Sequence, residues 1–101
     1  MADLHTVNKS PFEKNSLEQA IKFSTAGSAI LLIEDGVYAA LTGSEITSKV
    51  EAAMKKHTFY ALSADLEARG IQDRVIDGIK VVDYADFVDL AAENSGVQSW
   101  L

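Results

Sequence analysis

The side chains in this sequence that could do chemistry are two histidines, a carboxylate pair beside a glycine, and scattered serines. His5 stands beside Thr6 in Leu4-His5-Thr6-Val7-Asn8, and imidazole is the side chain that ordinarily titrates near neutrality. A lone histidine in such a stretch is more often a structural hydrogen-bonder than a catalyst. A place near the carboxyl end of a strand, where α/β folds hold ligands, favours a functional role for it. His57 follows Lys55-Lys56 and reads as a surface residue suited to a helix carboxyl end. No histidines stand at i, i+4 and no third ligand is suggested, so no metal site is expected. Glu34-Asp35-Gly36 closes an apolar run. Its carboxylates could hold a cation or work as acid and base, but Asp-Gly also simply makes a turn. Asn8-Lys9-Ser10 is too poor in glycine to cradle phosphate; no GxGxxG, P-loop or G-x-S-x-G pattern occurs. With no cysteine, thiolate nucleophiles, thiolate metal sites and disulfides are excluded. These patterns alone form no catalytic constellation.

The elements that must position these residues are legible as short apolar runs alternating with amphipathic stretches. Residues 4–8, 29–33, 58–62 and 79–82 are expected strands. Ala29-Ile30-Leu31-Leu32-Ile33 is a continuous apolar run of the kind buried on both faces. Ser10-Pro11-Phe12-Glu13 predicts one helical turn. Ser16-Leu17-Glu18-Gln19 repeats the capping pattern and opens a main helix to about Thr25, with Gly27 as its stop. A short helix is expected over 36–41 and another over 44–55. Asp83 caps a last helix in which Tyr84, Phe87, Val88 and Ala91 line one side and Asp83, Asp86, Asp89 and Glu93 the other. Strands separated by helical stretches pair in parallel through right-handed crossovers. The expected architecture is a three-layer α/β/α single domain, 1–101, with a mostly parallel sheet.

Composition sets the outer bounds. At 101 residues, 48% apolar and 24% charged, with a single proline, a packed globular domain of roughly 13 Å radius of gyration is expected. No apolar run is long enough to span a bilayer, and Met1-Ala2-Asp3-Leu4-His5 lacks the basic and apolar regions of a signal peptide, which points to the cytoplasm. The net charge of −6, with no basic block longer than Lys55-Lys56, lacks the footprint of a nucleic-acid binder. The acidic side of the last helix reads as a solvated face, or as a surface for a basic patch. The tail Val97-Gln98-Ser99-Trp100-Leu101 carries the only tryptophan. Terminal tails usually fray and an exposed indole is a liability, so Trp100 either folds back or, with Tyr38, Phe12 and Phe87, meets a partner.

Taken in order, five segments resemble one family. Leu4-His5-Thr6-Val7-Asn8-Lys9-Ser10-Pro11 is similar to the "LHT…SP" opening of the DsrH/TusB proteins, and Leu31-Leu32-Ile33-Glu34-Asp35-Gly36-Val37-Tyr38-Ala39-Ala40 to their "LL-x-x-DGV-x-AA". Tyr60-Ala61-Leu62-Ser63-Ala64-Asp65-Leu66-Glu67-Ala68-Arg69-Gly70 resembles "YAL-x-x-DL-x-ARG". Asp83-Tyr84-Ala85-Asp86-Phe87-Val88-Asp89-Leu90 resembles "DY-x-DFV-x-L", and Gln98-Ser99-Trp100 the closing "Q-x-W". Each is modest alone, but five in order from Leu4 to Trp100 are specific.

The resemblance implies the three-layer fold already expected and a small subunit of a DsrEFH or TusBCD sulfur-relay complex. In such a complex two DsrE/TusD-like, two DsrF/TusC-like and two DsrH/TusB-like chains form a heterohexamer. It passes persulfide sulfur to a DsrC/TusE-type acceptor, in wobble-uridine thiolation of tRNA or in sulfur oxidation. The principal sulfur-carrying cysteine belongs to the DsrE/TusD-like partner. A further one found in the first helix of some members corresponds roughly to Gln19-Ala20, where this chain has alanine at 20. Without a thiolate this chain cannot carry a persulfide. Its expected role is to support the partner's cysteine, with no metal and no cofactor. Candidate supporting or interface residues are His5, Asn8, Glu34, Asp35, Tyr38 and Trp100, with His5, Asn8 and the Glu34 turn expected at the carboxyl edge of the sheet. Two other readings are a homo-oligomeric module that recruits the acceptor directly, and an independent enzyme using His5 with Glu34 or Asp35.

Overall fold

The computed structural model describes residues 3–94 and 96–100. Met1 and Ala2, which enter the signal-peptide reading, and Leu101 at the end of the tail lie outside the described residues, as does Ser95. Five strands form one sheet in the order β4-β3-β2-β1-β5: β1 (Leu4–Val7), β2 (Ala29–Leu32), β3 (Thr58–Leu62), β4 (Lys80–Val82) and β5 (Val97–Trp100). Every pairing is parallel. Four helices connect them: α1 (Ser16–Phe23), α2 (Thr47–Ala53), α3 (Ser63–Ala68) and α4 (Tyr84–Glu93).

The strand order dictates the layers. Three successive crossovers step from β1 to β4 in one direction, whereas the fourth returns across the sheet to β5 beyond β1. Right-handed crossovers must therefore put α1, α2 and α3 on one face and α4 on the other. The core divides accordingly. Leu17 and Ala20 of α1, Val50 and Ala53 of α2 and Leu66 of α3 pack with Val7, Ile30, Leu32, Phe59 and Ala61. Leu90 of α4, with Phe87 and Ala91, packs with Leu4, Leu31, Leu62 and Val82. Both sets obey the alternation of side chains across a strand. The β2 run is buried at every position, as expected of a central parallel strand. The Cα radius of gyration is 12.1 Å.

Several local expectations are corrected. The closing tail is a strand: β5 pairs with β1, with Val7 opposite Trp100. α1 begins at Ser16, with Asn15 rather than Ser16 at the N-cap position and no side-chain cap bond from Asn15; it ends at Phe23. The helix expected over 36–41 is a 3-10 helix, Glu34–Ala40, begun two residues earlier. The helix expected from Ser44 starts at Thr47, because the hydroxyls of Ser44 and Thr47 turn the chain first: Thr47 Oγ1 accepts from Ser44 N–H and donates to the Leu41 carbonyl. α3 was not expected, since its six residues carry one apolar anchor, Leu66. On α4, Tyr84 and Val88 are exposed, so the apolar side expected there is only half used. Asp83 does cap α4 as expected, in a reciprocal box with Asp86.

Candidate functional site

The carboxyl ends of β1, β2 and β3 bring four of the expected residues together. The chain leaves β2 through Ile33 and enters the 3-10 helix at Glu34, the one non-glycine residue with positive φ (49°) among those described. That conformation is disfavoured for a residue bearing a Cβ. It is held because the Glu34 backbone N–H donates to Asp65 Oδ2 at 2.8 Å. Asn8, the residue after β1, reaches Glu34 Oε2 with its amide nitrogen at 3.5 Å, while its own Oδ1 is buried without a hydrogen-bond partner.

Arg69 ties this edge to α3. Its Nε and Nη2 both donate to Asp35 Oδ1, at 3.0 and 2.8 Å, and its Nη1 donates to the Asp65 carbonyl at 3.2 Å. The guanidinium lies 5.9 Å from the centre of the Tyr38 ring, a distance at which the ring face attracts a cation. The hydrogen bonds that it donates to Asp35 raise the Arg69 pKa above its ordinary value, so the guanidinium stays charged. Asp35 and Asp65 are thus committed to Arg69 and to backbone, and Glu34 contacts Asn8. No group of three or more histidine, cysteine or carboxylate side chains suited to a metal ion occurs among the described residues. This edge is a mostly acidic rim whose carboxylates are engaged by Arg69, Asn8 and backbone. Asp65 and Arg69 had not been picked out as site residues. The signal that could have found them is their i, i+4 spacing within Asp65-Leu66-Glu67-Ala68-Arg69, which sets them on one side of a helical turn.

His5 does not belong to that edge, contrary to expectation. It is the second residue of β1, its partner in the β2 register is Ile30, and its side chain faces α1 on the same side as Val7. There Trp100 of β5 donates its indole N–H to His5 Nδ1 at 3.0 Å, and Phe23 of α1 stacks on the indole at 6.4 Å and 9°. An Nδ1 that accepts a hydrogen bond carries no proton, so neutral His5 is protonated on Nε2. That atom is buried without a partner, as is Nδ1 of His57. His57 too departs from expectation, being buried rather than on the surface. Burial is the main force lowering the pKa of both imidazoles. Asp3 opposes it at His5, while the charges of His5 and Lys56 add to it at His57. Both are neutral at pH 7. The accepting nitrogen of His5 is occupied by the Trp100 indole, while Glu34 and Asp35 are engaged by Asn8, Asp65 and Arg69. Trp100 therefore folds back, pinning β5 from one face, while on the other Thr6 Oγ1 donates to Ser99 Oγ at 3.2 Å.

With fold and site in place, the comparisons with known proteins become informative. A family model described as DsrH-like protein matches residues 9–97. The chain is 40% identical over 98 residues to Protein TusB of Erwinia tasmaniensis, spanning 96% of this chain and 99% of that one. It is 35% identical over 97 residues to Protein TusB of Escherichia coli O157:H7, with the same coverage. This chain belongs to the DsrH/TusB family. Two solved structures share the fold of this DsrH/TusB member: the ychN protein of E. coli, at TM-score 0.80 and 21% identity over 98% of this chain and 99% of that one, and MTH1491 of Methanobacterium thermoautotrophicum, a protein of unknown function, at TM-score 0.73 and 18% identity over 97% of each. At these identities they speak for the α/β fold alone. No helix among the described residues is long and apolar enough to cross a membrane. In α1 of this DsrH/TusB member, Ala20 is fully buried against the core while Gln19 is exposed.

Proposed function

We propose that this chain is the cysteine-free subunit of a cytoplasmic, heterohexameric sulfur-relay complex of the TusBCD type. In it, the chain assembles with DsrE/TusD-like and DsrF/TusC-like subunits and supports transfer of persulfide sulfur to a DsrC/TusE-type acceptor. Similarity to proteins named TusB across nearly the whole chain favours service in tRNA wobble-uridine thiolation over sulfur oxidation. The observation that carries the supporting role is the absence of cysteine in a member of this family, since sulfur is accepted and released by a thiolate. Ala20 agrees with it: a thiol placed there would sit in the core under α1, closed to an acceptor.

Under this reading the carboxyl-edge rim of Asn8, Glu34, Asp35 and Tyr38, braced by Asp65 and Arg69, is a fixed surface presented to a neighbouring subunit. The His5–Trp100 bond keeps the outer strand in place behind it. The test is the light-scattering mass of the chain alone and after co-expression with its two paralogues. A particle holding two copies of each subunit is expected. A chain that stays apart from both, folded and monomeric, overturns the proposal. A homo-oligomer that binds the acceptor without the paralogues would replace it with the recruiting-module reading.

A further inference from the structure

A groove of about 650 Å³ runs between α1 and α2. Its apolar floor is Ile21, Ile46 and Ala53, and its rim carries Lys22, Lys49 and Lys56. A smaller hollow of about 190 Å³, bordered by Pro11, Phe12 and Glu45, shares Glu18, Ile46 and Lys49 with the groove, so the two form one trough. Phe12 stands half exposed at that end. The charges divide along the trough: Glu18 and Glu45 toward Phe12, Lys22 and Lys56 toward His57. In the middle, an exposed ion pair between Glu18 and Lys49 links the two helices.

Lys22 and Lys56, unlike Lys49, stand in no ion pair among the described residues, so on a molecule whose net charge is −6 their end of the groove favours negative charge. An apolar floor with a basic end and an acidic end matches one kind of occupant in both respects. A helix with one apolar stripe covers the floor. Its dipole sets its negative carboxyl end over Lys22 and Lys56 and its positive amino end over Glu18 and Glu45. The trough also continues past the amino end of α1 to Phe12, further than a compact small ligand would use. We propose that the α1–α2 trough docks an amphipathic helix of a partner protein, with the acidic last turn of that helix against Lys22 and Lys56. The proposal goes beyond the sulfur-relay reading and does not depend on it.

The probe is a synthetic amphipathic peptide of about four helical turns, with leucines on one stripe and glutamates in its last turn, added to the isotope-labelled full chain. Amide shifts centred on Ile21, Lys22, Ile46, Ala53 and His57 are expected. Binding should weaken about tenfold in Lys22→Glu/Lys56→Glu, as two exposed charge contacts are reversed. Glu45→Gln, which removes a charge from the acidic end that faces the amino terminus of the peptide helix, should also weaken it, by less. All three residues are exposed, so the variants should keep the parent spectrum, and Lys56→Glu alone serves if the double variant does not. Shifts elsewhere or none, equal binding of a peptide with lysines in its last turn, or the same shifts from pyrophosphate alone would each overturn the proposal, the last by making this a small-anion site.

Discussion

A Cβ on residue 36 would stand 2.0 Å from the carbonyl oxygen of Val7 and 2.8 Å from its carbon. That carbonyl cannot retreat, because it accepts the Ile33 N–H at 3.0 Å where β1 hands over to the loop after β2. Gly36→Ala is therefore expected to cost about 3 kcal/mol or more, the range of an overpacked core position. Gly43, with φ of 74° and open space around its Cβ position, is the comparator: its alanine variant should cost only about 1 kcal/mol, the backbone term alone. Urea titrations of both variants decide the matter, and equal losses would mean that the close approach is not what requires glycine. Asp-Gly after an apolar run was legible as a turn, but the division of labour was not. The left-handed residue is Glu34, and Gly36 is there for space. Local sequence signals which residues tolerate an unusual backbone; it does not show that a neighbouring strand's carbonyl will lie 2.0 Å from where a Cβ would stand.

β5 is the element whose attachment depends most directly on a titratable group. His5 accepts the Trp100 N–H only while its Nδ1 is bare. Burial lowers the pKa of His5 and His57 below the ordinary 6.5, with Asp3 opposing at His5 and Lys56 adding at His57. As pH falls through that ordinary value, the unfolded chain takes up protons that the folded chain refuses. The stability contributed by the neutral imidazoles is thus fully present above it and lost below, at up to about 1.4 kcal/mol per pH unit for each histidine. Unfolding followed by the single tryptophan should show stability declining from pH 7 to 5.5, and His5→Gln, which can still accept from Trp100 but cannot titrate, should flatten that decline. An unchanged slope in the variant would remove His5 from the account. The inner strands were legible because β2 and β3 are apolar enough to be buried wherever they lie. β5 was not: Val-Gln-Ser-Trp alternates weakly, and what makes it a strand is the free edge of β1 with His5 and Thr6 as anchors on either face. Those anchors are 95 and 93 residues away in sequence, beyond any local pattern.

At the scale of the molecule, the one reversal in strand order leaves three helices on one face of the sheet and α4 alone on the other. A single amphipathic helix uses only part of its circumference to cover a sheet: Leu90, Phe87 and Ala91 turn inward, while Tyr84 and Val88, one turn apart, stay 61% and 67% exposed. From sequence these two looked like core, because their spacing matches Phe87 and Ala91. Only the number of helices on that face shows that nothing among the described residues covers them. In the assembly proposed here a paralogous subunit supplies that cover, and the acidic side formed by Asp86, Asp89 and Glu93 remains in solvent. Val88→Asp then separates folding from assembly. The isolated chain should unfold within about 1 kcal/mol of the parent, since an exposed helix position contributes little on its own. A charge buried without a partner at a subunit contact costs several kcal/mol, enough to deplete the complex in a co-purification with the two paralogues. Assembly at the parent yield would place the contact elsewhere on the surface, and the carboxyl-edge rim around Asp35 and Arg69 would be the next to change.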